Sequence, residues 1–327
     1  MPTESEARIA AAIDVGSNSL HLLVAAIEAG RLRTLRDESV LLGLGSVVDL
    51  GGSIPASERA AAVNALVEYV AEATRHGAGN VTLMATEPLR RASDRSSFVN
   101  EVEAATGHPL HVLTHEEEAA LTLFGVLEGV APTEPTLVLD IGGGSTELIL
   151  HGPGTDPVVG VIPVGSARLT AGFVEADPPT PEEIVALRAE ARRLLAGMPA
   201  GHPTRGIVVG GSGINLLRLS APDAEEEIGS EKPLIDHDRI ERAMVLAATH
   251  PAAELVARFG LRERRARQMA AGVALIEATM AEYGLERMEA SDASLREGAI
   301  IAVDRAGDAW RDRLRSLVFG IPSDGHA

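Results

Sequence analysis

Two short segments of this chain place an aspartate just before a run of small polar residues, a combination suited to holding an oxyanion. They are Asp14-Val15-Gly16-Ser17-Asn18-Ser19 and Asp140-Ile141-Gly142-Gly143-Gly144-Ser145-Thr146-Glu147. Backbone N–H groups and the short side chains of Gly16, Ser17, Asn18 and Ser19 can cradle an anion, although an ordinary hairpin turn uses the same residue types. Three consecutive glycines are less ordinary. Their entropic cost is justified by close backbone approach or unusual dihedrals, so something small is expected to come close to Gly142, Gly143, Gly144 and Ser145. Asp140 and Glu147 flank that turn. Two carboxylates suit Mg²⁺, or Mn²⁺ in its place, with waters and phosphate oxygens completing the shell.

A third glycine-bearing turn, Gly210-Gly211-Ser212-Gly213, follows the apolar stretch Ile207–Val209 and precedes the helical Ile214–Leu219. It presents a helix N-terminus to an anion or serves as a purely structural turn. In Thr114-His115-Glu116-Glu117-Glu118, Thr114 and Glu117 fit a capping box and Glu116 complements the helix dipole. Glu118 is left as the candidate general base, with a surface acid as the competing reading. Arg90 and Arg91 follow a strand ending at Thr86, where a guanidinium can bind phosphate bidentately or simply decorate a helix end. Arg262, Arg264, Arg265 and Arg267 interleave with Glu263 and read mainly as a solvated face. The 10 histidines show no metal-ligand spacing.

The elements that carry these residues repeat. Ile13–Val24 is echoed by Leu139–Leu150 at a constant offset of 126 residues, each copy reading as two apolar strands joined by the small-residue turn. Between the copies, helical periodicity over Ser57–His76 and Ser97–Thr106 alternates with strands at Val81–Thr86 and Leu110–Leu113, which implies an α/β layer. The proline-bearing stretch 128–135 marks a boundary. Beyond the second hairpin, Val158–Val164 reads as a strand, and Thr180-Pro181-Glu182-Glu183 opens a helix to about Ala196. Ala221–Lys232 reads as an exposed acidic loop. A final helix over roughly Leu295–Leu317 is expected to cross back onto the first lobe. The expected domains are 1–128, 129–300 and a C-terminal helix at 301–327.

The chain has 327 residues, enough for two domains, and its core should be aliphatic because aromatics are only 2%. With 29 Lys and Arg against 47 Asp and Glu, the net charge of −18 argues against nucleic acid as a partner. Screening over roughly 8 Å still lets local donors and metal bind a phosphate. Cysteine is absent, which removes disulfides and thiolate chemistry. No signal peptide or membrane span is visible, so a cytoplasmic location is expected.

Together these residues resemble the Ppx/GppA family of exopolyphosphatases and guanosine pentaphosphate phosphohydrolases, almost from end to end. The supporting matches are the two hairpins, Thr86–Ala92, Glu117-Glu118-Ala119, Gly210–Gly213 and Ser291–Gly298. The resemblance implies two actin-like lobes, related to ribonuclease H and to the sugar-kinase and heat-shock (ASKHA) superfamily, with an interlobe cleft. It implies that Glu118 is the catalytic carboxylate, Arg90 a phosphate contact, and Asp140 and Glu147 metal-associated acids. It also implies polyphosphate or a polyphosphorylated nucleotide as substrate, and a homodimer is compatible with it. Arg265-Ala266-Arg267 departs from the family's Arg-Ala-Asp, and the length matches the short form without an added C-terminal helical domain. The competing activities are hydrolysis of guanosine pentaphosphate or nucleoside triphosphates, a non-catalytic alarmone sensor, and a kinase of the same superfamily.

Overall fold

The computed structural model describes residues 8–220 and 233–319, so the loop expected at 221–232 lies outside the described residues. The chain forms two compact units, Met1–Val130 with Leu295–Ala327, and Ala131–Ser294.

In the first unit, β1 (Arg8–Val15), β2 (Ser19–Glu28), β3 (Arg31–Leu41), β4 (Asn80–Ala85) and β5 (Leu110–Val112) form a sheet in the order β3-β2-β1-β4-β5. The first three run antiparallel, and β4 and β5 lie parallel to β1 and to each other. Strand side chains alternate between faces, and β1 is buried on both. Ala11, Ile13 and Val15 join the core under the helices Ala56–Arg75 and Arg95–Thr106. Ala10 and Ala12 join the core under the helices His115–Val126 and Leu295–Ala306. Asp14 continues this second series, on the face covered by the helix that carries Glu118.

The second unit contains β6 (Thr136–Ile141), β7 (Thr146–His151), β8 (Val158–Ile162), β9 (Arg205–Val209), β10 (Leu234–Asp236) and β11 (Arg287–Ser291). Their order is β10-β11-β9-β6-β7-β8. Again the hairpin and its next strand are antiparallel while β9 and β11 are parallel to the first strand. The plan of unit 1 is thus repeated, with β10 added at the edge by antiparallel pairing to β11. This repeated α/β order is the actin-like plan in both units.

The expected final helix is two helices, Leu295–Ala306 and Trp310–Phe319, separated by a 3₁₀ turn at Gly307–Ala309. Gly307 has φ +57 there, a conformation that interrupts a right-handed helix and that glycine adopts without steric cost. The whole segment from Leu295 belongs with unit 1, six residues earlier than the expected start at 301. Both expected capping boxes, Thr114 with Glu117 and Thr180 with Glu183, are present. No helix among the described residues is long and apolar enough to cross a membrane.

Candidate active site

In unit 1, antiparallel pairing sets Asp14 opposite His21, and Gly16 N–H donates to Ser19 O at 3.1 Å to close the turn. The segment after β3 then packs on the turn. Leu42 and Gly43 N–H both donate to Asn18 O, at 3.1 and 2.9 Å, and Gly45 N–H donates to Ser17 O at 2.9 Å. These bonds consume carbonyl oxygens of the turn and none of its N–H groups. Gly45 has to be glycine for this packing, because a Cβ there would lie 2.8 Å from that of Ser17. The hydroxyls are already engaged. Ser17 Oγ donates to Glu87 Oε2 at 2.7 Å, and Ser19 Oγ lies 2.8 Å from His21 Nε2. Glu87, which residue types alone did not single out, is buried and also bonds Arg91, whose Nη1 reaches Asp49 at 2.7 Å. Arg91 is therefore a structural partner of the turn's support.

Glu118 occupies the first turn of the His115–Val126 helix and is 8% exposed. Its Oε2 accepts a 2.6 Å bond from Arg90 Nη1, which also donates to Leu113 O at 3.0 Å. A charge-assisted bond of this length orients the carboxylate. Arg90 Nη2 lies 3.1 Å from His115 Nδ1. Burial, followed by the Arg90 charge, pushes the His115 pKa down, so the ring is neutral at pH 7 and its Nδ1 accepts from the guanidinium. Glu117 instead closes the capping box and receives Arg311, with Nη2 to Oε2 at 2.8 Å, and Glu116 is exposed. Of the three acids, Glu118 alone is buried beside Arg90.

In unit 2, Asp140 pairs directly with Glu147 across β6 and β7, so both side chains leave the same face of the sheet. Gly142 N–H donates to Ser145 O at 3.0 Å. The close approach expected at the glycines is made by the chain itself. A Cβ on Gly165 would lie 2.4 Å from Gly142 O and 2.6 Å from the Gly143 carbonyl carbon. From there the Ser166–Phe173 helix begins against the turn. Ser166 N–H donates to Gly142 O at 2.9 Å, Ala167 N–H to Gly143 O at 3.0 Å, and Arg168 Nη1 to Gly144 O at 2.8 Å. As in unit 1, carbonyls of the turn are spent on its support.

The third turn sits beside this hairpin because β9 runs parallel to β6 with Val209 next to Asp140. Gly210 has φ +85, and a Cβ there would lie 3.7 Å from Asp140 Oδ1. Gly211 opens the Gly211–Ser220 helix, and Gly213 packs so closely on β9 that a Cβ would meet Val208 Cγ1 at 2.9 Å. Ser212 is buried, and Gly272 lies against it: a Cβ on that glycine would be 2.9 Å from Ser212 Oγ. Arg265 overturns the expectation of a solvated face. Its guanidinium carbon lies 3.2 Å from where a Gly211 Cβ would be, and its Nη1 is buried without a hydrogen-bond partner. Burial, then the neighbouring Arg262 and Arg264, push its pKa down, while Asp140 pulls the other way. A guanidinium at the positive end of a helix is a combination that favours an anion. Residues 211 and 265 are 54 apart, so no local pattern could have signalled their contact.

Like charges directly opposite in a sheet repel, so the paired carboxylates of Asp140 and Glu147 fit a hard divalent cation by donor type and placement. Arg265 next to Asp140 supplies part of the compensating charge.

The Ppx/GppA phosphatase family model matches residues 23–304. An uncharacterized protein of Streptomyces coelicolor is 32% identical over 307 residues, covering 91% of each chain. Exopolyphosphatase 1 of Mycobacterium leprae is 27% identical over 297 residues, covering 88% of this chain and 87% of that one. Among solved structures, the Aquifex aeolicus member of the family superposes with a TM-score of 0.78 at 25% identity, covering 92% of this chain and 99% of the other. The chain belongs to the Ppx/GppA phosphatase family, as a hydrolase of phosphoanhydride bonds.

Proposed function

We propose that the protein is a metal-dependent exopolyphosphatase that removes the terminal phosphate of inorganic polyphosphate, with Glu118 as the general base. The observation that carries this reading is the buried Glu118 carboxylate held by Arg90 at 2.6 Å. A buried, oriented acid is what a base for water requires, and the Mycobacterium leprae relative is named as an exopolyphosphatase.

In this mechanism the Asp14–Ser19 turn and the Gly142–Ser145 turn offer backbone N–H groups to phosphate oxygens. Their own carbonyls are withdrawn into the supporting bonds. Arg265 and the Gly211–Ser220 helix terminus add positive charge. Arg90 holds Glu118 in place, and Glu118 takes a proton as the water oxygen bonds to the terminal phosphorus. The phosphorus–oxygen anhydride bond then breaks, and the shortened chain leaves with the electron pair. Asp140 and Glu147 are the residues that would hold Mg²⁺, and a bound Mg²⁺ would supply charge neutralisation at the phosphoryl oxygens. Direct attack by water requires no covalent enzyme intermediate.

Phosphate release in the presence of Mg²⁺ tests this directly, with polyphosphates of graded length, guanosine pentaphosphate, ATP and ADP as substrates. Polyphosphate is expected to give the highest kcat/KM; a preference for guanosine pentaphosphate would reassign the substrate while keeping the chemistry. Glu118→Gln is expected to lower kcat by about 10² to 10⁴ with KM little changed, and full activity in that variant would remove Glu118 from the role. Tight nucleotide binding without phosphate release would instead indicate a sensor.

A further inference from the structure

The Leu295–Ala306 helix begins 177 residues after Glu118, yet two of its first four residues meet other parts of unit 1, Gly298 the helix that carries Glu118 and Arg296 the strand that carries Asp37. Gly298 faces the helix that carries Glu118. A Cβ at Gly298 would lie 1.9 Å from Leu121 O, 2.7 Å from Leu121 C and 3.1 Å from Gly125 N. All three neighbours are backbone, so no side-chain rotation could relieve the overlap. The absence of a side chain at 298 is thus what sets the spacing of these two helices.

Arg296, two residues earlier and so on a different face of the helix, is 9% exposed and donates through Nη1 to Asp37 Oδ1 at 2.8 Å. Burial pulls its pKa down, but the surrounding Glu297, Asp37 and Asp14 more than offset this and hold the guanidinium charged. Asp14 is the aspartate at the end of β1, on the sheet face that this helix covers.

We propose that the start of the Leu295–Ala306 helix is a positioning element for the reaction. Gly298 sets the depth of the Glu118 helix, and Arg296 fixes the charge environment of the Asp14 carboxylate. Neither residue touches the reacting atoms in this scheme. The proposal rests on Glu118 being the base.

A double-mutant cycle on phosphate release tests it. Gly298→Ala must push the Glu118 helix outward, and misplacement on the order of 1 Å can cost about 10²-fold in rate. The expected result is therefore a roughly 10- to 100-fold fall in kcat with KM within about threefold. In a Glu118→Gln background the same substitution is expected to change kcat by less than about threefold, because the group it displaces has already lost its function. If Gly298→Ala does not yield folded protein, Arg296→Gln, which removes the charge beside Asp37 and Asp14, is measured in its place; because it acts on Asp14 and leaves the Glu118 helix where it is, its fall in kcat is expected to multiply with that of Glu118→Gln. Unchanged kcat in a folded variant, or a Gly298→Ala loss that multiplies fully with an impaired Glu118→Gln, would overturn the positioning role alone. Full activity of Glu118→Gln would remove the base assignment and this proposal with it.

Discussion

The two hairpins share register and closure but differ at the position facing their aspartates. Asp14 pairs with His21 and Asp140 with Glu147, each across an equivalent turn closed by a glycine N–H to a serine carbonyl. The turns are supported alike, by downstream donors to their carbonyls: Leu42, Gly43 and Gly45 in unit 1, and Ser166, Ala167 and Arg168 in unit 2. Repetition therefore produced two turns closed and supported in the same way, whereas the cross-strand partner diverged. In unit 1 that partner is an imidazole bonded to Ser19, and in unit 2 it is a second carboxylate. The same scaffold thus sets an imidazole beside its aspartate on one copy and a second carboxylate beside it on the other.

Substitutions at these paired positions can break the comparison. The largest effect is expected for Glu147→Gln, a roughly 10²- to 10³-fold loss of turnover typical of a removed charge-stabilising group, with half-activation shifted to higher Mg²⁺. Its counterpart His21→Gln removes the bond to Ser19 Oγ, and a single hydrogen bond is typically worth about 0.5–1.5 kcal/mol, so activity should fall less than about tenfold. Equal losses, or an unaltered Mg²⁺ titration for Glu147→Gln, would erase the distinction between the two copies.

A smaller effect concerns how the turns are supported. Gly165→Ala would force a Cβ against turn backbone, while Gly45→Ala would meet chiefly the Ser17 side chain. Overpacking of this kind costs about 1–3 kcal/mol, and Gly165→Ala should fall at the upper end. Thermal unfolding measures the difference, and a lower Tm for Gly45→Ala than for Gly165→Ala would reverse the ranking.

The smallest effect lies at the two capping boxes, on helices opened by Thr114 and Thr180. Burial raises the Glu117 pKa, but bonds from Arg311 and the Thr114 N–H outweigh it, so the net shift is downward from 4.5. Glu183 is shifted downward chiefly by the N–H donors of Glu175 and Thr180, with that of Ala176 and the Thr180 hydroxyl adding to them. A lowered carboxylate pKa gives stability that is present above the unfolded value and is lost as pH falls through the folded one. Glu117→Gln should therefore be less stable than the parent at pH 7, and the gap should close below about pH 4. Denaturant unfolding at both pH values checks this; a gap that persists in acid would assign the effect to packing instead of charge.

Much of this was legible in the residues because it is local. The hairpins announce themselves by an aspartate, small turn residues and flanking apolar strands, and the capping boxes by a threonine followed three positions later by glutamate. What stayed hidden depends on contacts between distant segments. Arg265 looked like one of several solvated arginines because Gly211, against which it lies, is far away in the chain. Glu87 carried no local signal, because Ser17, to whose hydroxyl it is bonded, lies 70 residues earlier. The break at Gly307 was masked by the apolar periodicity on either side of it.

The division of the chain also bears on how the molecule is made. Unit 2 is one uninterrupted stretch, whereas unit 1 is assembled from residues before 131 and after 294. A nascent polypeptide synthesised only to residue 294 holds every strand of both sheets but lacks Leu295, Ala299, Ile300 and Trp310, which fill one side of the first. The usual order of maturation during synthesis, earliest-made domain first, is thereby inverted: the later-made unit can be completed while the earlier one waits for its final helices.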